Sequence, residues 1–335
     1  MSRKTAVPFL FSVCALAVLA LAPFIGMETI PLDSIINPES GDTRAEIFWK
    51  IRLPRVILSF CAGAGLSVSG MTFQAIFRNP LATPFTLGVS GGAAFGAAAY
   101  LMAGMMISML GLSGQSLSSF AGALLAIVIV YGLTRAKKGL STATMLLAGV
   151  AVNFFFSSLI LFIQYLSDFT HSYRIIRWLM GGIETVGFGS VITVAPFVLI
   201  GCAVVFFFTH ELNLMSLSEE TAISRGVNVK GIKTALFFGV SLMVGGVVAQ
   251  CGPIGFVGMM CPHICRLLIG PDHNYLTPAT FLFGGMFLTA CDMLSRTLIA
   301  PAEIPIGVIT ALLGGPFFLW LLLGGSAERS ILKQI

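Results

Sequence analysis

Residues 52–92 have the sequence "RLPRVILSFCAGAGLSVSGMTFQAIFRNPLATPFTLGVSGG". Between Arg55 and Arg78 this stretch carries no charged residue and is rich in glycine, alanine and serine. An α-helix needs an uncharged run of about 20 residues to cross a hydrocarbon core of roughly 30 Å. Small residues allow membrane helices to pack closely, and the prolines that follow interrupt the helix. The stretch therefore predicts a tightly packed membrane helix followed by a break.

The composition of the whole chain indicates an integral membrane protein. Of its 335 residues, 56% are hydrophobic and only 10% are charged. Soluble domains are usually about 45 to 50% apolar. Seven cysteines, an odd number, lie mostly inside apolar runs and are interpreted as small hydrophobic residues rather than a disulfide framework.

Apolar runs separated by prolines, glycines or charges predict an all-α protein with a single transmembrane domain over residues 1–335. The N-terminal run also fits a signal peptide, but its length favours a retained helix. Ten helices are predicted near residues 6–25, 54–77, 86–109, 117–134, 141–166, 190–209, 232–250, 254–269, 277–298 and 306–324.

The distribution of basic residues predicts the orientation of these spans. Cytoplasmic segments of membrane proteins carry an excess of lysine and arginine. If the N-terminus is inside, both termini are cytoplasmic. The inner segments then hold 12 of the 19 basic residues: Arg3, Lys4, Arg78, Arg135, Lys137, Lys138, Arg225, Lys230, Lys233, Arg266, Arg329 and Lys333.

Three basic residues are an exception to this pattern. Lys50, Arg52 and Arg55 lie just ahead of the second span and are external in this orientation. They could extend to lipid headgroups or pair with Asp42 and Glu46. They could equally bind acidic side chains of a partner protein. The residues alone leave these alternatives open.

The longest internal loop, residues 210–231, contains a predicted short helix. Ser216 and Glu219 have the spacing of a capping box, and Gly226 supplies a stop, which predicts a helix over 217–225. A capped helix in such a loop is a surface for another protein. The alternative is an amphipathic helix resting on lipid, which its acidic residues disfavour.

Two motifs invite chemical interpretations that the sequence does not support. "GVNVKGIKT" nearly matches a phosphate-binding loop, but Ile232 is one residue too many and a membrane span follows. In "CPHIC", His263 lies two residues from both Cys261 and Cys265 and so points away from their helix face. No catalytic set occurs in one hydrophilic segment. ATP, if it is used, is expected to bind another chain.

Asp292 is the only acidic residue well inside an apolar run. An acid within a membrane span is a functional candidate by default. Arg296, four residues later, lies on the same helix face, so an ion pair is the simpler explanation.

Four blocks of the sequence resemble the FecCD permeases, the membrane subunits of ABC importers for iron-siderophores, haem and vitamin B12. The blocks are residues 52–93, "LLAGVAVN", "GPIGFVGMMCPHICR" and "EIPIGVITALLGGPFFLWLL". The resemblance implies a ten-helix subunit that forms a homodimer, with two ATPase subunits below it and a periplasmic binding protein above. It implies no cofactor in this chain, because ATP and Mg would bind the ATPase.

The resemblance also implies roles for particular residues. Docking of the binding protein is expected at Arg52, Arg55 and Arg296. Contact with the ATPase is expected at Glu219, Ala222 and Gly226. An inner gate is expected at Asn79, Leu81 and Thr142. "HSYRIIRWLMGG" resembles a short external helix, in which Arg174, Arg177 and Trp178 face either the binding protein or the headgroups.

The resulting hypothesis is a permease subunit, not an enzyme, that moves an iron-siderophore or haem across the bacterial inner membrane by alternating access. A corrinoid is the alternative cargo. A secondary transporter driven by an ion gradient is a remote alternative, because its spans would need several buried acids or histidines.

Overall fold

The computed structural model describes residues 3–36, 42–105, 108–109, 112–136 and 142–323. Within these residues the chain is almost entirely helical. Seven helices are long and apolar enough to cross a membrane, and three apolar helices are shorter. The ten are α1 (Arg3–Leu21), α4 (Leu53–Phe77), α5 (Val89–Met102), α6 (Gly114–Ala136), α7 (Thr142–Leu166), α9 (Gly189–Phe207), α12 (Val229–Cys251), α13 (Val257–Ile269), α14 (His273–Thr297) and α15 (Ile306–Leu323).

The remaining elements connect these ten helices at their ends. A two-stranded antiparallel hairpin pairs Ser108 with Ser113 and Met109 with Leu112. A 3-10 turn covers Ala22–Phe24, and a π-helical turn over Phe48–Arg52 leads into α4. The short helices are α2 (Asp33–Ile36), α3 (Thr43–Ile47), α8 (Phe169–Leu179), α10 (Thr209–Leu217) and α11 (Glu219–Ser224), and the strands are β1 (Ser108–Met109) and β2 (Leu112–Ser113).

Each apolar helix overlaps one predicted window, but several boundaries differ. The third window was wrong at its end, because α5 stops at Met102 rather than 109. Gly104 follows in the left-handed region at φ +61, and the β hairpin begins shortly after it. Met105 and Met109 therefore do not extend the helix.

Helix α4 is the centre of the bundle. Nearly all of its residues are buried, and it packs against α9, α12, α13 and α14. Gly63 faces the backbone of Gly284, and Gly70 faces the backbone of Gly258, so closely that a Cβ would have no room at either position. Small residues at such crossings bring helix backbones together. This packing explains Gly63 and Gly70 of the opening stretch.

Two breaks in the backbone flank this core. Arg78 ends α4 at φ +48, and Phe256 precedes α13 at φ +66. They are the only non-glycine residues with positive φ in the described part of the chain. Irregular backbone at membrane depth must be buried by protein or line a cavity. At the second break, the carbonyl of Cys251 at the end of α12 accepts a hydrogen bond from Gly182 N at 2.9 Å. The loop after α8 therefore satisfies this backbone group.

Large apolar side chains cover the outer surface of the bundle. Examples that are each at least 67% exposed are Phe154 and Leu161 on α7, Ile192 on α9 and Leu312 on α15. A water-soluble protein rarely exposes so much apolar surface. This surface is suited to lipid or to another apolar subunit.

Candidate functional site

A cluster of four charged side chains lies where α4, α14 and the loop before α15 meet. Arg55 donates from Nε to Asp292 Oδ1 at 2.8 Å and from Nη1 to Glu303 Oε1 at 2.9 Å. Arg296 Nε lies 3.3 Å from Asp292 Oδ2, which confirms the predicted ion pair between these two residues. Asp292 is completely buried, whereas the Glu303 side chain is 46% exposed. The cluster holds two cations and two anions in balance.

Arg52 is used differently, as a donor to main-chain oxygens. Its guanidinium donates to the carbonyls of Pro23, Phe24 and Glu28 at 3.3, 3.2 and 2.5 Å. Arg296 Nη2 donates to the neighbouring carbonyl of Ala22 at 3.2 Å. The two arginines thus fasten the end of α1 to the main bundle.

The three arginines predicted to dock a partner are therefore brought to one end of the fold, but they are buried. Arg52, Arg55 and Arg296 are only 7 to 8% exposed. The alternative of pairing with Asp42 and Glu46 was wrong for Arg52 and Arg55, which have other partners.

That alternative was right for Lys50. Its Nζ lies 2.7 Å from Glu46 Oε1 in an exposed pair.

A cavity of about 590 Å³ lies beside this cluster, beneath α8. Arg55 and Glu303 form part of one wall, and Gln115 and Gln250 contribute amides. Gln250 is itself anchored, since its Oε1 accepts from Ser116 and its Nε2 donates to Ser190. Helix α8 contributes Tyr173, Arg174, Ile176, Arg177 and Trp178 to the lining. The volume is within the range of sites for small ligands, about 300 to 1,000 Å³.

Helix α8 is the short helix predicted after the fifth span. Its N-cap is Asp168, whose carboxylate accepts from His171 N at 2.8 Å. This backbone hydrogen bond, with a second one from the His171 ring, lowers the pKa of Asp168. Near its C-terminus Arg177 donates to Glu184 at 3.0 Å, which raises the pKa of Arg177. Arg174 is exposed and forms no hydrogen bond or ion pair within the described residues.

The segment between α9 and α12 contains two helices, α10 and α11. The predicted capping box at Ser216 was wrong, because Ser216 belongs to α10 and donates to Asn213 O. Ser218 is the N-cap instead, and its hydroxyl accepts from Thr221 N at 2.9 Å. The neighbouring serine two residues away concealed this cap in the sequence.

The three residues predicted to contact an ATPase are all placed by this segment. Glu219, at the start of α11, binds Lys233 Nζ of α12 at 2.5 Å. Ala222 is fully buried against Met215 and Val229, so it supports the helix rather than forming its surface. Gly226 follows α11 at φ +80, which confirms the predicted stop. This left-handed conformation favours glycine.

The predicted gate residues lie at two helix ends. Asn79 Oδ1 accepts from Leu81 N at 2.9 Å, a turn that continues the break after α4. Leu81 is 58% exposed. Thr142 is the first residue of α7, directly after residues outside the described part of the chain. The structure thus places Asn79 and Leu81 in one turn and Thr142 on a separate helix.

The alternative chemistries find no support in the geometry of the described residues. No group of three metal-ligating side chains occurs among them, and Cys261 and Cys265 are free and buried. The near match to a phosphate loop lies at the start of α12, where Asn228 caps the helix by accepting from Gly231 N at 3.0 Å. A loop able to wrap around a phosphate is therefore not present at this position.

Comparison with known proteins identifies the family. The sequence profile of the FecCD transport family matches residues 13–324. The chain belongs to the FecCD transport family. Among its relatives, the hemin transport system permease protein of Yersinia pestis is 36% identical over 96% of each chain. The cobalamin import system permease protein of Halobacterium salinarum is 39% identical over 84% of this chain and 74% of the relative.

The fold of this FecCD protein is also found in a solved structure. That structure is described as an inward-facing conformation of an ABC transporter assigned to the metal-chelate type. It aligns with a TM-score of 0.83 and 30% identity, covering 94% of this chain and 97% of the other. The all-helical membrane fold expected from the sequence is thereby confirmed, and the protein is a multi-pass transport permease.

Proposed function

We propose that this FecCD protein is the permease subunit of an ATP-driven importer that moves an iron-siderophore or haem across the bacterial inner membrane. The observation that carries the proposal is the match to a hemin permease over 96% of both chains. A corrinoid is the alternative cargo, supported by the cobalamin relative.

The proposed complex contains two copies of this chain, two ATP-binding cassette subunits and one periplasmic binding protein. ATP and Mg bind the ATPase chains, and this chain carries no cofactor. Its apolar surface contacts lipid and the second copy. Both termini lie in the cytoplasm, which places α10 and α11 on the side of the ATPase. The short, capped α11 and its exposed acidic residue Glu220 support this contact.

The proposed mechanism is alternating access without covalent chemistry in this chain. Closure of the ATPase displaces the segment formed by α10 and α11, and the spans attached to it move as rigid bodies. The turn at Asn79 and Leu81 and the start of α7 at Thr142 open and close the inner side. Arg52, Arg55 and Arg296 form the docking region for acidic side chains of the binding protein at the outer side.

The geometry of Asp292 disfavours the remaining alternative, a transporter driven by an ion gradient. Such a transporter needs an acid that can take up and release a proton or bind sodium. Asp292 is instead held by Arg55 and Arg296. Both carboxylate oxygens of Asp292 face a guanidinium group, at 2.8 and 3.3 Å, so its charge already has cationic partners within the protein.

The test is reconstitution of the native complex. The chain is purified gently from its own membrane, its co-purifying proteins are identified, and the complex is placed in liposomes. Uptake of hemin, a ferric siderophore and cyanocobalamin is then measured with internal or external ATP, with a non-hydrolysable analogue as control. We expect uptake of one iron chelate that requires ATP hydrolysis.

Two results would contradict the proposal. Uptake that persists without ATP but stops when an ionophore collapses the ion gradient would replace it with a secondary transporter. ATP-dependent uptake of cyanocobalamin alone would replace the iron chelate with a corrinoid. The absorption spectrum of ligand bound to the periplasmic partner identifies the cargo independently.

A further inference from the structure

Asn213, on α10, holds the beginning of α14 through three hydrogen bonds. Its Nδ2 donates to Asp272 Oδ1 at 3.0 Å. Its Oδ1 accepts from His273 N at 2.8 Å and lies 2.9 Å from His273 Nδ1. His273 is only 3% exposed. One side chain therefore binds both the capping residue and the first residue of a membrane span.

A second contact fastens the adjacent helix α11 to another span. Glu219 pairs with Lys233 of α12 at 2.5 Å, and the Lys233 side chain is 4% exposed. Below this pair, Met215, Ala222 and Val229 form a small buried apolar cluster. The segment α10–α11 is thus attached to α14 by Asn213 and to α12 by the ion pair and the cluster.

Both spans continue from these contacts to the opposite end of the bundle. Helix α12 ends at Cys251, whose carbonyl accepts from Gly182 in the loop after α8. Helix α14 carries Asp292 and Arg296, which join the charge cluster beside Glu303. Close-packed interiors transmit displacement rather than absorbing it. A movement of α10–α11 is therefore communicated along two separate helices.

We propose that Asn213 is a positioning residue that couples movement of the α10–α11 segment to α14. This inference rests on the proposed function, in which an ATPase displaces that segment. Without the amide, the segment remains attached to α12 through Glu219 and Lys233, but α14 no longer follows it. ATP hydrolysis then continues while the outer end of the permease fails to respond, so hydrolysis is no longer coupled to substrate import.

The chemistry of the contact suggests a specific exchange of side chains. Asn213 donates to a carboxylate through its nitrogen and accepts from an N–H through its oxygen, and a carboxylate in its place could only accept. Asn213→Asp removes the donor and places a second carboxylate against Asp272. Adding Asp272→Asn restores one donor and one acceptor between the two positions. The substituted amide can still accept from Asn274 N and cap α14.

The experiment measures substrate imported per ATP hydrolysed by the complete complex in liposomes. For Asn213→Asp we expect the ratio to fall about five-fold or more, the lower end of usual coupling between two sites. The combined exchange should restore it. Asn228→Asp is the matched control, because Asn228 lies in the same loop, is exposed and caps α12, a role that aspartate fills equally well. Its ratio should stay unchanged.

An unchanged ratio in Asn213→Asp would overturn the inference, as would a fall that the combined exchange fails to restore. Absence of ATP-driven uptake by the unaltered complex would instead overturn the proposed function, and it would show before any variant is compared.

A second measurement decides the matter if Asn213→Asp fails to fold. One spin label is placed at Ser224→Cys on α11 and the other at Asn274→Cys on α14, both at exposed positions. Cys14→Ser removes the exposed native thiol. We expect the separation of the two labels to stay constant when nucleotide binds. The separation of a control pair at Ser224→Cys on α11 and Arg135→Cys on α6 should change. A change in the α11–α14 separation as large as in the control pair would overturn the inference.

Discussion

Arg55 and Asp292 form a buried ion pair at 2.8 Å although 237 positions separate them in the sequence. The pair joins α4 to α14 near the point where the loop before α15 approaches both helices. Arg296 and Glu303 complete the balance of charge around it. Asp292 is therefore a structural centre of this end of the bundle, and the two arginines are arranged around it.

Replacement of this carboxylate should destabilise the protein. Asp292→Asn leaves two buried guanidinium groups with only Glu303 to neutralise them. Removal of one partner from a buried ion pair typically costs about 3–5 kcal/mol. We expect a clear fall in the midpoint of thermal unfolding in detergent. Glu46→Gln is the control, since its pair with Lys50 is exposed and such pairs contribute little. Equal midpoints for the two variants would contradict this account of Asp292.

A second prediction tests whether Arg55 receives an acidic partner. Glu303 is the exposed member of the cluster, so a carboxylate on a docking protein has to compete with it for Arg55. Glu303→Gln should therefore tighten binding of the periplasmic protein. A Kd lowered ten-fold corresponds to a gain of about 1.4 kcal/mol in binding free energy. The gain should shrink at high salt, because exposed charges are screened. Binding is measured by titration in nanodiscs.

The matched control for this prediction is Glu184→Gln. Glu184 pairs with Arg177 on α8 at 3.0 Å, as Glu303 pairs with Arg55 at 2.9 Å, although Arg177 is exposed and Arg55 is buried. A gain from Glu303→Gln alone locates docking at Arg55. A gain from Glu184→Gln alone would move the docking site to α8, and no gain from either would remove both arginines from the interface.

The sequence predicted the spans well because their signal is local. Uncharged runs such as 56–77 identify membrane helices without any knowledge of their neighbours. The end of α5 was less predictable, since apolar methionines continue past the point where Gly104 turns the chain. Hydropathy measures burial in lipid or protein and does not register a turn.

The charged contacts could be predicted only where the partners are close in the sequence. Arg296 and Asp292 are one helical turn apart, and Lys50 and Glu46 likewise. Arg55 with Asp292, and Asn213 with His273, join distant segments, so no spacing rule applies to them. The sequence indicated that Arg52, Arg55 and Arg296 share one end of the protein, but it could not show that they are buried.

A further prediction concerns the pH dependence of α8. Hydrogen bonds from His171 lower the pKa of Asp168, so the ionised carboxylate stabilises the folded helix. This contribution is complete above the ordinary aspartate pKa of about 3.9 and is lost as the pH falls through the lowered value. Amide hydrogens in the first turn of α8 should lose protection in that acid range, so that they exchange faster relative to an unstructured peptide at the same pH. Asp168→Asn retains a cap, and its exchange should lack this particular acid dependence. The same acid dependence in both proteins would contradict the assignment.

The last prediction concerns the close crossing of α4 and α13. A Cβ at Gly70 would collide with the backbone of Gly258, which cannot move aside as a flexible side chain could. Gly70→Ala should therefore separate the two helices and break the hydrogen bond from Gln74 Nε2 to Gly258 O, now 3.3 Å. We expect a lower unfolding midpoint and loss of transport. Gly132→Ala, on α6, is the control, since nothing lies within 4 Å of its Cβ. Because alanine favours helix by up to about 1 kcal/mol over glycine, that variant should keep or gain stability. Equal stability of the two variants would show that the crossing tolerates a methyl group, and the small residues of α4 would then need another explanation.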